Sequence, residues 1–116
     1  MNDRELLEMA AKACGFTINH PWNQSRLLMD PPVISLVVHK DGEVMHTAWN
    51  PLTDNGTALS LANRLCIDIL FYPGDEVVAS TDSGYESGEP FSRGDDCSAL
   101  RRSITRTAAF IGASIP

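Results

Sequence analysis

The chain has 116 residues, of which 43% are hydrophobic and 21% charged, a composition typical of one globular domain. Its net charge of −6 argues against binding nucleic acid through the overall field, because neutralising phosphates requires clustered Lys and Arg. No apolar run approaches the roughly 20 residues that span a bilayer, and the first residues lack the basic-then-apolar order of a signal peptide. We therefore expect a cytoplasmic protein without membrane contact.

The three cysteines, Cys14, Cys66 and Cys97, are an odd number with no close pair. This spacing indicates neither a disulfide framework nor a CxxC metal or redox site. Free cysteine is among the most buried residue types, so we expect these thiols to be reduced and mostly buried.

The first 32 residues predict a helix followed by a loop. Apolar residues recur there at spacings of three and four: Leu6, Leu7, Ala10, Ala13 and Cys14. This predicts a helix over about residues 3–14, which Gly15 ends. Residues 16–18 suit a short strand. Residues 19–32 carry three prolines and little periodicity, which predicts a loop with one turn near 25–29 and Trp22 as its anchor.

A β-hairpin over about residues 33–49 is the clearest local signal. Two alternating runs flank Asp41-Gly42, a dipeptide suited to a type I′ turn. A two-residue turn fixes the register and pairs Ile34 with Trp49. One face then carries Ile34, Leu36, Val38, Met45, Thr47 and Trp49. We expect this face to lie on the core.

A punctuated turn joins the hairpin to a central helix. Asn50-Pro51 stops the strand, because proline has no amide to donate. Thr53 or Asp54 is the expected N-cap of a helix over about residues 54–66. Its apolar positions recur at helical spacing: Ala58, Leu61, Ala62 and Leu65.

The remaining sequence predicts two short strands, a loop and a last helix. Residues 67–71 and 76–80 suit strands joined through Pro73-Gly74. Residues 81–93 are rich in Ser, Gly and acids, which predicts an exposed loop. We expect residues 82–93 to be dispensable for folding but to affect partner binding. Asp95 or Asp96 is the expected cap of a helix over about residues 95–113.

The order of elements predicts the α+β class. We expect one domain over residues 1–116, a small sandwich in which helices cover a central, mostly antiparallel sheet.

The stretch Trp49-Asn50-Pro51-Leu52-Thr53-Asp54, followed by an alanine- and leucine-rich helix, resembles the phage ABA sandwich domain family. In these small phage and prophage proteins a Trp-Asn-Pro motif with a nearby Asp opens a central helix. The first and last helices fit as well, so the resemblance covers nearly the whole chain. It implies an α-β-α sandwich in the host bacterial cytoplasm, with a structural role for Trp49, Asn50, Pro51 and Asp54. It supplies no catalytic residue and no cofactor.

Two arrangements of residues are candidate chemical sites. His39 and His46 are diagonal neighbours on one hairpin face, roughly 7–8 Å apart at the backbone, and with His20 or a carboxylate they would make a metal site. The alternative, histidines on a half-covered face, is favoured because no regular zinc-ligand spacing supports a metal. Cys97 lies in the first turn of the last helix, but no base for a nucleophile is identifiable. We expect no metal, no cofactor and no catalytic residues.

Two charged surfaces are the candidate binding sites. Arg101, Arg102 and Arg106 form a basic cluster that suits a phosphate or an acidic partner, or else a solvated helix face. Seven acids and one base lie between Tyr72 and Asp96, and Asp82, Glu86 and Glu89 belong to this acidic segment. It suits either recognition of a basic site on a partner or simple solvation.

These observations favour a phage or prophage interaction protein that is not an enzyme. Its expected partner is a host or phage macromolecule other than nucleic acid, bound by a monomer or homodimer, with inhibition of host defence as one instance. The alternative is a protein that sequesters a nucleotide or anion between the arginines of the last helix and an aromatic such as Trp49. An enzyme ranks third, because no nucleophile, base and orienting group can be assembled.

Overall fold

A computed structural model describes residues 1–16, 18, 21–92 and 97–116, without the side chains of 21, 22, 37–40 and 44–46. Its elements are α1 Asp3–Ala13, α2 Pro21–Arg26, β1 Ile34–Lys40, β2 Glu43–Trp49, α3 Asn55–Leu65, β3 Asp68–Tyr72, β4 Glu76–Ser80, β5 Glu86–Pro90 and α4 Ser98–Ala113. Helices packed against small antiparallel sheets confirm the α+β class. The expected central sheet is wrong in one respect, since β1–β2 and β3–β4–β5 form two separate sheets in the described chain.

Helix α4 lies at the centre of the molecule. It packs against α1, α3, β4 and β5. Many of its buried residues are small, which lets neighbouring elements approach its backbone closely: Ala99, Ser103, Ala108, Ala109 and Gly112. The Thr107 hydroxyl donates a hydrogen bond of 3.0 Å to the carbonyl of Ala79 on β4 and so ties the helix to the sheet.

One buried cluster joins the hairpin to the helices. Ile34 and Trp49, paired at the open end of the hairpin, are 0% and 8% exposed. They pack with Leu7 of α1, Leu61 of α3 and Ile104 of α4. The expected burial of Trp49 is confirmed.

The hairpin has the register that its turn predicts. Ile34 pairs with Trp49 and Lys40 with Glu43. Asp41 and Gly42 both have positive φ, 53° and 79°, as a type I′ turn requires. The expected apolar face is wrong at Thr47, which is exposed, while the side chains of Val38 and Met45 lie outside the description.

The turn at residues 49–54 is held by two polar side chains. Asn50 donates from Nδ2 to the carbonyl of Pro32 at 2.6 Å and accepts from the amide of Leu52 at 2.9 Å. Asp54 is the N-cap of α3, and its Oδ2 accepts from the amide and the hydroxyl of Thr57 at 2.8 and 2.7 Å. Of the two predicted caps, Asp54 is therefore the one used.

The predicted acidic loop is wrong over Glu86–Pro90, which forms strand β5. It pairs with β4 from Ser80 opposite Glu86 to Glu76 opposite Pro90. Ser87 points inward and is buried, and Glu89 pairs with Arg106 of α4. Because this segment completes the backbone pairing of β4, the expectation that folding does not need it loses its basis.

Three further expectations concern the segment before the hairpin, the cysteines and the start of the last helix. The loop predicted over 19–32 contains α2, and Phe16 and Ile18 are not in a strand. Cys14 is buried, but Cys66 and Cys97 are exposed, so the expectation of mostly buried thiols is wrong. Helix α4 begins at Ser98 with Cys97 as N-cap, and the predicted caps Asp95 and Asp96 lie outside the described residues.

Helix α2 is fixed by a buried amide. Asn23 is 1% exposed, and its Nδ2 donates to the carbonyls of Ile18 at 3.0 Å and Ser35 at 3.3 Å. Its Oδ1 accepts from the amide of Ser35 at 2.8 Å. A six-residue helix is too short to be stable alone, so these bonds to β1 hold it in place.

Replacing Trp49 with Ala is expected to lower the free energy of unfolding by about 3–5 kcal/mol, the range for deleting a core aromatic. Leu59→Ala is the control, because Leu59 is 51% exposed on α3 and its loss should cost under about 0.5 kcal/mol. Urea denaturation of both variants measures the difference. Equal midpoints for the two would show that Trp49 does not stabilise the core.

Two helical glycines should respond to alanine with opposite signs. A Cβ at Gly112 would lie 1.8 Å from the Met9 carbonyl oxygen of α1, so Gly112→Ala should destabilise by about 1–3 kcal/mol, as overpacking does. A Cβ at Gly56 would meet only Asp54 Oδ2 at 3.5 Å, so Gly56→Ala should stabilise by about 0.4–1 kcal/mol. The same denaturation assay checks both, and a stabilised Gly112→Ala would contradict the close packing of α1 on α4.

Candidate functional site

The sheet β3–β4–β5 has one covered and one open face. Val77 and Ala79 of β4 point to the inner face, are fully buried and pack against α4. The outer face is defined by the alternate residues of the three strands: Asp68, Leu70 and Tyr72 of β3, Glu76, Val78 and Ser80 of β4, and Glu86, Gly88 and Pro90 of β5. The β3 and β5 members of this outer face are exposed and the β4 members are half-buried, so no described element covers it.

The outer face has an apolar middle and acidic ends. Leu70, Val78 and Gly88 lie side by side across the three strands. Asp68 and Glu86 lie in the neighbouring row on one side of it, and Glu76 lies in the row on the other side. In the described part of the chain, none of these three carboxylates forms an ion pair.

Gly88 has no side chain, so the backbone of β5 is uncovered in the middle of the outer face. A Cβ built there would lie 2.7 Å from Oε2 of Glu76, so the Glu76 carboxylate lies directly over the bare backbone of β5. The face therefore presents this negative charge beside an apolar floor.

The three acids predicted as binding residues are separated by the sheet. Glu86 lies on the outer face, and Asp82 is exposed in the turn between β4 and β5. Glu89 lies on the inner face, where it forms a salt bridge with Arg106. Only Asp82 and Glu86 are thus placed to meet a partner.

The three predicted arginines bind neighbouring elements of the chain. Arg101 donates from Nε to the carbonyl of Leu52 at 2.9 Å and from Nη1 to Asn55 at 2.7 Å. Arg102 pairs with Asp3 of α1 at 3.0 Å, and Arg106 pairs with Glu89 of β5. Each guanidinium therefore connects α4 to a different element, so the cluster does not form a shared anion clamp.

A cavity of about 260 Å³ lies beside Arg102, and its wall includes Glu89 and Leu52. The Glu89 carboxylate there opposes the binding of a phosphate. Of the three arginines of the predicted phosphate site, Arg102 is the one that lines this cavity.

A second cavity, of about 370 Å³, lies where α1, β2 and α3 meet. Its lining residues are Cys14, Phe16, Trp49, Ser60, Leu61, Asn63 and Arg64. Phe16 and Trp49 meet edge to face, with ring centroids 5.8 Å apart. The Arg64 guanidinium lies 4.8 Å from the centroid of the Phe16 ring and donates to the carbonyl of Cys14 at 3.2 Å.

This aromatic cavity differs from the predicted ligand site. Trp49 and Arg64 of α3 both line it, whereas the arginines of α4 are not among its lining residues. The sequence signal for Arg64 was only its place in the last turn of a predicted helix. Burial raises the pKa of the Cys14 thiol, against an opposing effect of Arg64, so this thiol is a protonated packing group near neutral pH.

The candidate metal site falls largely outside the described residues, whereas the candidate nucleophile Cys97 is exposed at the start of α4. His20 and the side chains of His39 and His46 are not described. Among the described residues, no three His, Cys, Asp or Glu side chains are grouped to hold a metal ion. The helices of the described chain include none that is long and apolar enough to cross a membrane.

No family model, curated protein or solved structure matches the chain. The resemblance to the phage ABA sandwich domain family therefore rests on residues 49–54 and the flanking helices alone. Asn50 and Asp54 hold the turn and cap the helix in this stretch, which are structural roles.

The Asp54 cap should make stability depend on acid pH. Hydrogen bonds from the Thr57 hydroxyl and amide hold the pKa of Asp54 below its usual value. The folded pKa is thus below the unfolded one, so the stabilisation is complete above the unfolded pKa and is lost as pH falls through the folded pKa. We expect Asp54→Ala to lower Tm at pH 7, with the gap to wild type closing in acid.

Asp54→Asn is the matched control, because its amide oxygen still caps the helix and does not titrate in this range. It should retain most of the Tm at pH 7. A constant Tm gap between wild type and Asp54→Ala from neutral to strongly acid pH would contradict the role of the charged carboxylate.

Proposed function

We propose that the chain is a non-enzymatic interaction protein. It binds a basic partner protein through the outer face of β3–β4–β5. The observation that carries the proposal is an open sheet face whose apolar middle lies between carboxylates that form no ion pair with any described residue. Contiguous exposed apolar area with a polar rim is typical of protein interaction sites. A sheet backbone holds these groups at fixed spacings, so little ordering is needed on binding.

Charge supports a basic partner over an acidic one. The net charge is −6, and the segment from Tyr72 to Asp96 holds seven acids and one base. Asp75 and Asp82 are exposed in the turns that flank β4 and add to the charge of the outer face. Such a field speeds encounter with a positive surface, and the effect falls as salt screens it.

The arginine cluster supports the exclusion of nucleic acid as the partner. Phosphate binding depends on several available cations, and Arg102 and Arg106 are already paired with Asp3 and Glu89. A positive protein surface therefore suits this chain better than a phosphate backbone.

We extend the proposal to a phage or prophage protein that acts on a host or phage macromolecule, with inhibition of host defence as one instance. Its support is the Trp-Asn-Pro turn, in which Asn50 and Asp54 make the bonds that such a motif requires to open a helix. The partner itself is defined only by its positive charge.

A second candidate, binding of a nucleotide or other planar anion, is favoured by the aromatic cavity. Phe16, Trp49 and Arg64 supply ring edges and a cation beside a volume of about 370 Å³. Native mass spectrometry of protein purified from its host separates the two candidates. A retained nucleotide would favour the cavity, and bare protein would favour the outer face.

The test of the main proposal is neutralisation of the outer face. Glu76→Gln with Glu86→Gln should abolish recovery of the partner from host lysate at low salt, because both carboxylates lie on the outer face. Glu5→Gln with Glu43→Gln is the matched control, since it makes the same charge change at exposed residues of α1 and the hairpin.

Wild-type protein should recover the partner less well as salt rises, and the control should behave like wild type. If both double variants recover the same protein with the same salt dependence, the outer face is not the binding site. If the control loses the partner as well, only the overall charge matters.

A further inference from the structure

The two edges of the sheet β3–β4–β5 differ in chemistry. Strand β5 has the sequence Glu-Ser-Gly-Glu-Pro, and charges, glycine and proline at an edge oppose pairing with another strand. Strand β3 reads Asp-Ile-Leu-Phe-Tyr, with no such residue between Asp68 and Pro73. One edge is therefore blocked and the other is suited to pairing.

The apolar side chains of β3 are unusually exposed. Leu70, Phe71 and Tyr72 are 53%, 57% and 48% exposed. Leu70 and Tyr72 point to the outer face, whereas Phe71 points to the inner face, beside Val77 of β4. Because α4 packs chiefly beneath β4 and β5, the inner face of β3 is open at Phe71, whereas Ile69 packs against the core.

We infer that β3 pairs with β3 of a second copy of this chain, antiparallel, about a twofold axis normal to the sheet. Such an axis keeps outer face with outer face, so only registers that pair residues of the same face are allowed. The register that uses all five residues places Leu70 on the axis, opposite Leu70 of the second copy. It pairs Ile69 with Phe71 and Asp68 with Tyr72 across the two chains.

The strand is complementary to itself in this register. Leu70 meets Leu70, and each exposed Phe71 meets an Ile69, so the large apolar side chains gain apolar partners. Each Asp68 carboxylate lies opposite a Tyr72 hydroxyl, which donates to it. The two Asp68 carboxylates are roughly 14 Å apart along the strands, beyond the Debye length at physiological salt.

This match identifies the occupant as a second copy. A shift by one pair in either direction loses the Asp68–Tyr72 contact, and a shift toward Asp68 also brings the two carboxylates closer. A basic strand from another protein would satisfy Asp68 but would leave the Tyr72 hydroxyl without its acceptor. The dimer joins two three-stranded sheets into one of six strands.

Salt should act on this dimer in the opposite direction to its action on a basic partner. Each copy carries a net charge of −6, so the copies repel at long range and salt screens that repulsion. Dimerisation is therefore expected to strengthen with salt, whereas binding at the acidic outer face should weaken. The opposite effects of salt therefore distinguish dimerisation through β3 from binding of a basic partner at the outer face.

The first test is sedimentation equilibrium of the full chain across protein and salt concentration. Wild type should show a monomer–dimer equilibrium, and Leu70→Lys, which sets two ammonium groups against each other on the axis, should raise the dimer Kd at least about tenfold. Leu59→Lys is the matched control, a leucine of similar exposure, 51%, on α3, and should leave the Kd unchanged. Thermal melting verifies that each variant is folded.

The second test fixes the register by crosslinking, in a background of Cys66→Ser and Cys97→Ser because both thiols are exposed. Leu70→Cys should oxidise to a disulfide dimer, since directly opposite residues have Cα atoms about 4.5–5.5 Å apart. Tyr72→Cys should not crosslink to itself, but should crosslink to a chain carrying Asp68→Cys.

Wild type that stays monomeric at about 1 mM, where even weak association is visible, would overturn the inference. A dimer that Leu70→Lys leaves intact would overturn it too, as would self-crosslinking at position 72 in place of position 70.

Discussion

The close contact between α1 and α4 is the constraint on which the rest of the structure depends. At Gly112 the backbone of α4 approaches the Met9 carbonyl of α1 too closely for any side chain to intervene. With α4 fixed in this way, the Thr107 hydroxyl donates to the carbonyl of Ala79 and holds β4 close to the helix. The arginines of α4 then connect it to α1, to β5 and to the turn before α3. The outer face of β3–β4–β5 owes its position to these bonds.

Features set by neighbouring residues were predictable from the sequence. The hairpin register followed from Asp41-Gly42, and the start of α3 followed from Pro51 and Asp54, because turn geometry and capping act over a few residues. The burial of Trp49 followed from its place in the alternating run. Each of these depends on backbone preferences that the local sequence already contains.

Features set by distant residues were not predictable in the same way. Strand β5 has the composition of a loop, and it is a strand because β4 offers backbone partners and Arg106 pairs with Glu89. Helix α2 depends on bonds from Asn23 to β1, twelve positions away at Ser35. The arginines looked available for binding in the sequence because their partners, such as Asp3, lie far away along the chain. Of the three acids predicted as binding residues, Asp82 and Glu86 form no ion pair within the part of the chain that the structure describes.

The contrast between the two sheet edges also limits how large an assembly can grow. A protein whose sheet had two apolar edges could add copies without end and form a fibre, because each added chain would present a new edge. Here a chain added at β3 presents its own β5 edge, where Glu86, Gly88 and Pro90 do not accept another strand. Growth through the proposed pairing of β3 would therefore stop after one addition, so that an exposed apolar strand would not seed polymerisation.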